Sequence, residues 1–206
     1  MEKSQKMRLQ QQLEFILELD KLKGIERRSY LLDTSRLENS AEHSWHLTVA
    51  TLVLAEYAES SLDVLRVMKM TLFHDIVEID AGDTFLYDEQ GNAEKAEREQ
   101  EAAERLFGLL PPDQGKEYRS LWNEFEERTS LEARWARGLD RLLPLMFNYF
   151  TQGKTWREHG VNRDQVIRQN SIIADASSPL WRFAKSLIDD AVKRGYLSDG
   201  KSGEIR

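Results

Sequence analysis

The chain has 206 residues, 40% of them hydrophobic, with 29 Lys plus Arg against 36 Asp plus Glu and a formal net charge of −7. That is enough for one sizeable core, and the acidic balance argues against a nucleic acid polymer as partner, since such binding is driven by neutralising phosphates. The absence of cysteine excludes disulfides, zinc thiolate sites and thiol nucleophiles.

A small phosphorylated ligand remains compatible with this composition if positive charge is concentrated locally. The N-terminus lacks an apolar signal core and no apolar run reaches the length of a membrane span. The expected setting is therefore cytoplasmic, with no membrane partner.

Residues 4–22 predict an amphipathic helix, with Leu9, Leu13, Ile16, Leu17 and Leu19 near helical spacing, ended by Gly24. A basic, irregular connector follows, carrying Arg27, Arg28 and Arg36. Asn39 or Ser40 offers an N-cap for a helix from Ala41 to about Glu59, with Glu42 in its first turn where the dipole favours an anion. From Leu62 to Ile79 the chain is apolar on nearly every face, which predicts one buried helix ended by Gly82.

That helix carries His74, Asp75 and Glu78 in its last turns, crowded onto adjoining faces. Burying ionisable groups is costly unless they are paired or bind a metal, so something cationic is expected there. From Asp88 to Arg105 the pattern predicts a solvated helix with a narrow stripe of Ala102, Ala103, Leu106 and Phe107. Pro111 and Pro112 break it, and Lys116–Arg128 follows with Tyr118, Leu121, Trp122 and Phe125 inward.

Leu131–Thr151 is apolar on its far half, with Asp140 where it turns apolar and Pro144 expected to kink it. A last helix pair is predicted at about 163–174 and 178–194, split by Ser177 to Pro179, with a flexible tail over 196–206. There is no clear strand run, repeat or Gly-rich phosphate loop. The fold class is all-α: one helical domain over 1–195 with a metal site between its helices.

With four histidines (43, 46, 74 and 159), a metal site must borrow carboxylates. His43 lies at the positive end of its helix, which keeps imidazole neutral and able to ligate. His43, His74, Asp75 and Asp140 would supply two nitrogen and two oxygen donors from three helices, as bundles do. Such donors suit one divalent ion, Mn, Co, Mg, Zn, Ni or Fe. Four ligands on a six-coordinate ion leave two positions for water or substrate. Packing is the simpler reading of His46 and Trp45, and a surface loop that of His159; Asp80 is open between turn cap and substrate contact.

His43, then His74-Asp75 about thirty residues on, then Asp140 within Leu139-Asp140-Arg141-Leu142, resembles the H…HD…D pattern of the HD-domain metal-dependent phosphohydrolases. The flanks, Glu38 to Trp45 and His74 through Gly82-Asp83, resemble the 5′-deoxynucleotidase branch, and the motif order covers about residues 10 to 150. The resemblance implies that His43, His74, Asp75 and Asp140 ligate the metal. Glu78 would orient or deprotonate a metal-bound water, making Glu78 and Asp75 the catalytic pair.

Asp83 would face the nucleoside sugar. Arg28, fifteen residues before His43, matches a phosphate-contacting arginine, and Arg27 and Arg36 would share that task. The implied activity is a phosphomonoesterase on a (deoxy)nucleoside 5′-monophosphate or similar small phosphate ester, in a homodimer. The alternatives are a phosphodiesterase or guanosine polyphosphate hydrolase, or a non-catalytic metal-containing nucleotide-binding protein. One departure bears on substrate: the branch carries Trp after its arginine, where this chain has Ser29 and then Tyr30.

Overall fold

The computed structural model describes residues 3–200. Helix α1 (Lys3–Glu18) runs into a 3₁₀ turn over Leu19–Gly24. Phe15 and Leu22 enter the core from this stretch, but Leu9, Leu13, Ile16 and Leu17 stay exposed, Leu17 at 73%. The apolar stripe of α1 is therefore largely uncovered by its own chain.

The basic connector is a small antiparallel hairpin, a correction to the reading without strands. Strand β1 (Glu26–Tyr30) pairs with β2 (Leu37–Asn39), Glu26 opposite Asn39 and Tyr30 opposite Leu37, with a register irregularity between. Its buried residues are Ser29 and Glu38, so the apolar alternation that announces a strand is missing.

The hairpin delivers the chain into α2 (Ser40–Val53) through a capping box. Asn39 Oδ1 accepts from Glu42 N at 2.9 Å and Glu42 Oε2 from Asn39 N at 3.1 Å.

The predicted single helix over Leu62–Ile79 is two. Helix α3 (Val64–Phe73) ends before His74, and α4 (Glu78–Ala81) begins after a tight stretch. His74 Nδ1 donates to the Thr71 carbonyl at 2.9 Å, and Glu78 N and Ile79 N donate back only three residues, to Asp75 O and Ile76 O. Such bonds tighten the backbone into 3₁₀ geometry. Nor is α3 apolar-buried all round, since Leu65 and Leu72 are exposed. Gly82, with φ 74°, ends α4 in a conformation that glycine adopts without steric cost.

The remaining helices are α5 (Glu89–Gly108), α6 (Pro112–Glu127), α7 (Leu131–Phe150), α8 (Lys154–Glu158), α9 (Arg163–Asn170), α10 (Ile173–Ala176) and α11 (Ser178–Lys193). Helix α7 continues through Pro144 and forms the spine. Its Trp135, Leu139 and Leu142 are buried in one cluster with Leu47 of α2, Val67 of α3 and Ile188 of α11. At Gly138 a Cβ would meet the Ala176 Cβ at 2.3 Å, so α10 crosses α7 where a larger residue has no room. A second cluster joins Ala102, Leu106 and Phe107 of α5 to Phe15, Ile76 and Val77. The segment 74–77 is thus anchored by Ile76 and Val77, which directly follow its polar pair.

The predicted 163–174 helix is broken between α9 and α10. Leu197 is buried, and Arg163 N donates to Ser198 O at 2.8 Å, so the chain is still tied down at the start of the expected tail. Residues 201–206 of that tail lie outside the described residues. Among the described residues no helix is long and apolar enough to cross a membrane.

Candidate metal centre and its cleft

His43 comes from the first turn of α2, His74 and Asp75 from the turn after α3, and Asp140 from the middle of α7. All four are buried. His43, His74 and Asp75 each bring a ligand atom within 4.8 Å of the others. Asp140 Oδ1 joins them, 3.0 Å from His43 Nε2 and 3.7 Å from His74 Nε2. The capping box sets the start of α2 from which His43 projects, and the bond to Thr71 fixes the His74 ring, so both positions follow from local structure.

A carbonyl can only accept, so the His74 Nδ1 bond to Thr71 puts a hydrogen on Nδ1. His74 Nε2 is then buried without a hydrogen-bond partner, 3.0 Å from Asp75 Oδ1. In the neutral ring this is a lone pair aimed at carboxylate oxygens, an arrangement that calls for a cation between them. Burial lowers the His74 pKa, but Asp75 and Asp140 outweigh it and raise it to about 10, so the carboxylates demand a positive charge at this nitrogen, which either a proton or a metal ion supplies. Burial likewise works against the Asp140 carboxylate, yet the hydrogen bond from His43 and the facing imidazole of His74 hold it well below the usual range. Two nitrogen and two oxygen donors with no sulfur fit a borderline-to-hard divalent ion.

Around this centre the structure adds a carboxylate that sequence reading did not single out. Glu38 Oε2 is buried 3.6 Å from His43 Nδ1, and neither atom has a hydrogen-bond partner. A ligating histidine usually directs its other ring nitrogen at such a carboxylate. The signal was present only as a polar residue inside the hairpin, which the sequence did not reveal as a strand.

Glu78 accepts a hydrogen bond from Ser40 Oγ at 2.6 Å. Burial first, and then the Asp75 charge, push its pKa well above the ordinary value. Arg27 donates to Asp75 Oδ2 at 2.6 Å, so its charge is already engaged. Burial raises the Asp83 carboxyl against the pull of Arg27.

Arg27, Arg28, Asp75, Glu78, Asp83 and Asp140 line one cleft of about 710 Å³, its open mouth included. Arg36 does not join them: its guanidinium holds Glu42 at 2.8 and 2.5 Å, at the capping box. The predicted trio of phosphate-contacting arginines is thus divided, with Arg28 exposed at the cleft and Arg27 committed to Asp75.

Lys95, Arg137, Arg141 and Asn148 also line the cleft, unforeseen from sequence. Asn148 Nδ2 donates to the Pro144 carbonyl at 3.0 Å, which leaves its buried Oδ1 without a partner. Trp45, expected to pack, is 65% exposed. His46 lies tilted beside the Phe147 ring at 5.5 Å, His159 is exposed beside Phe85 at 4.6 Å, and Asp80 pairs with Arg105 at 2.5 Å.

The chain has relatives among known proteins. The chain is similar to the 5′-deoxynucleotidase HDDC2 of Homo sapiens, 31% identical over 130 residues that cover 63% of this chain and 62% of that protein. The Bos taurus protein of the same name is 32% identical with the same coverage. The chain therefore spans less than two thirds of the length of these curated relatives. The 5′-deoxynucleotidase hdd1 of Schizosaccharomyces pombe is 25% identical over 188 residues, 88% of this chain and 84% of that one.

Among solved structures, a predicted metal-dependent phosphohydrolase from Magnetospirillum magnetotacticum MS-1 is 53% identical with a TM-score of 0.90, covering 93% of this chain and 96% of its own. The HD domain family model matches residues 19–181. That span takes in every residue of the His and Asp centre, and the chain belongs to the HD domain family.

Proposed function

We propose that the chain is a metal-dependent phosphohydrolase that releases phosphate from a (deoxy)nucleoside 5′-monophosphate or a similar small phosphate ester. The observation that carries this reading is the buried His74 Nε2, facing Asp75 and Asp140 beside an open cleft with no sulfur donor. The names of the human and bovine relatives and of the solved relative support the same chemistry. A divalent ion held by His43, His74, Asp75 and Asp140 would supply electrophilic stabilisation of phosphoryl oxygens and acidify water in the cleft.

In this reading Glu78, oriented by Ser40, takes a proton from the attacking water. The water oxygen forms the new bond to phosphorus, the bond from phosphorus to the ester oxygen breaks, and the departing oxygen collects a proton. Arg27 positions Asp75, Arg28 meets the phosphate at the mouth, and Asp83 accepts from a sugar hydroxyl. Fixed charges of this kind carry most of the rate in phosphoryl transfer.

The test is a panel of monoesters, cyclic diesters and pyrophosphates with Mn, Co and Mg. Deoxynucleoside 5′-monophosphates are expected to release inorganic phosphate only with added metal, about tenfold or more faster than the other classes in kcat/KM. Preferential cleavage of a diester or a guanosine polyphosphate would move the chain to those activities. Nucleotide binding without turnover by metal-loaded protein would make it a binding protein.

The exposed stripe of Leu9, Leu13, Ile16 and Leu17 on α1 supports a homodimer as part of the proposal. Light scattering is expected to give twice the chain mass; a monomer at micromolar concentration would remove that part.

A further inference from the structure

The metal-centre cleft has a neighbour. Arg137, Arg141 and Lys95, which line the cleft, also line a second cavity of about 1620 Å³, again with its open mouth included. Asp140 lines the first of them beside the two arginines. Its Oδ1 faces the imidazoles, while its Oδ2 faces Arg137 Nη1 at 3.4 Å and Arg141 Nη1 at 4.0 Å. The two guanidiniums therefore stand on the other side of that carboxylate from the ligating nitrogens.

Their charge is incompletely matched. Arg137 is 6% exposed, lies over the Phe125 ring, reaches Glu126 at 3.4 Å and keeps a buried Nε with no partner. Arg141 makes no hydrogen bond to a described residue, and its nearest carboxylate, Asp140, is already shared with His43, His74 and Arg137. Lys95 is matched by Glu99 at 3.2 Å. The rest of the wall includes Arg128, Arg168, Glu126 and Asp175.

Buried guanidiniums short of acceptors are costly unless an anion completes them. Their planar forks match phosphate better than any other common anion group except carboxylate. We propose that Arg137 and Arg141 form a second phosphate-binding site, which takes a second phosphate group of the substrate while the first lies at the metal centre. The substrate part rests on the phosphohydrolase reading above; the site itself does not.

The experiment uses the full chain loaded with Mn, as wild type, Arg141→Gln and Arg141→Lys. Each is given deoxyadenosine 5′-monophosphate, 5′-diphosphate and 3′,5′-bisphosphate, with turnover and calorimetric binding both measured. Wild type is expected to prefer the 3′,5′-bisphosphate, itself a phosphomonoester, to the monophosphate by about tenfold, a ratio that falls towards one in Arg141→Gln. The diphosphate is expected to bind more tightly than the monophosphate in calorimetry without faster turnover. Arg141→Lys keeps the charge without the fork, is expected between the two, and serves if the glutamine variant does not fold. Taking the ratio within each protein cancels any loss of folded material.

Inorganic phosphate is added to the monophosphate assay as a separate arm. A change in kcat that Arg141→Gln loses, without any two-phosphate preference, would assign the same site to free phosphate. Equal ratios in all three proteins and no such phosphate effect would overturn the site. If no nucleotide is turned over, the activity reading fails, and the calorimetric ratio still decides the second site.

Discussion

His74→Ala is expected to give a folded protein that no longer takes up a divalent ion and no longer releases phosphate from any ester. The imidazole supplies the nitrogen on which the centre converges, with Asp75 Oδ1 at 3.0 Å and Asp140 Oδ1 at 3.7 Å. Without it those carboxylates keep their negative charge but lose the group that fixes their spacing. Loss of an outer partner alone costs a metal site roughly 10–100-fold in affinity, and loss of a ligand should exceed that.

The change removes the hydrogen bond to the Thr71 carbonyl, about 1 kcal/mol, and the packing of a buried ring on Phe125, so the protein is expected to be less stable but still folded. Calorimetric titration with Mn, beside circular dichroism on the same sample, separates the two effects. Folded His74→Ala protein that binds Mn as tightly as wild type would remove His74 from the centre.

How much of this was legible in the sequence depends on whether a residue's role is set along the chain or across it. His43 and Asp140 lie 97 residues apart, yet each falls on a helix whose cap and apolar period are local signals. The ordered motif then said which helices meet. The hairpin was hidden because its inward residues, Ser29 and Glu38, are polar and serve the site rather than the core. The break at His74 was hidden because a side chain bonding to the main chain ends α3, and an apolar run does not encode that.

Arginines were the least readable. Arg36 stands close to Arg27 and Arg28 in sequence, but Glu42 of the capping box claims it. Arg137 and Arg141 flank Asp140 by three residues and one, where charge on a helix reads as solvated surface. Both face the cleft because α7 is buried on nearly every side by tertiary packing.

Glu78→Gln is expected to separate catalysis from both metal binding and stability. Glutamine keeps the volume, and its amide oxygen can still accept from Ser40 Oγ, which donates to the carboxylate at 2.6 Å. What disappears is a buried negative charge that burial and Asp75 already disfavour. Removing it should leave the unfolding temperature at or above that of wild type, since a buried charge near a like charge costs stability. Metal affinity and KM should be unchanged, because neither the ligand set nor the phosphate contacts include Glu78. The loss should fall on kcat, by roughly 10²–10⁴-fold, the usual contribution of a positioned proton acceptor. Turnover at the wild-type rate would take Glu78 out of the chemistry. Loss of metal along with turnover would instead make it a ligand, and the centre would need redrawing with a third carboxylate.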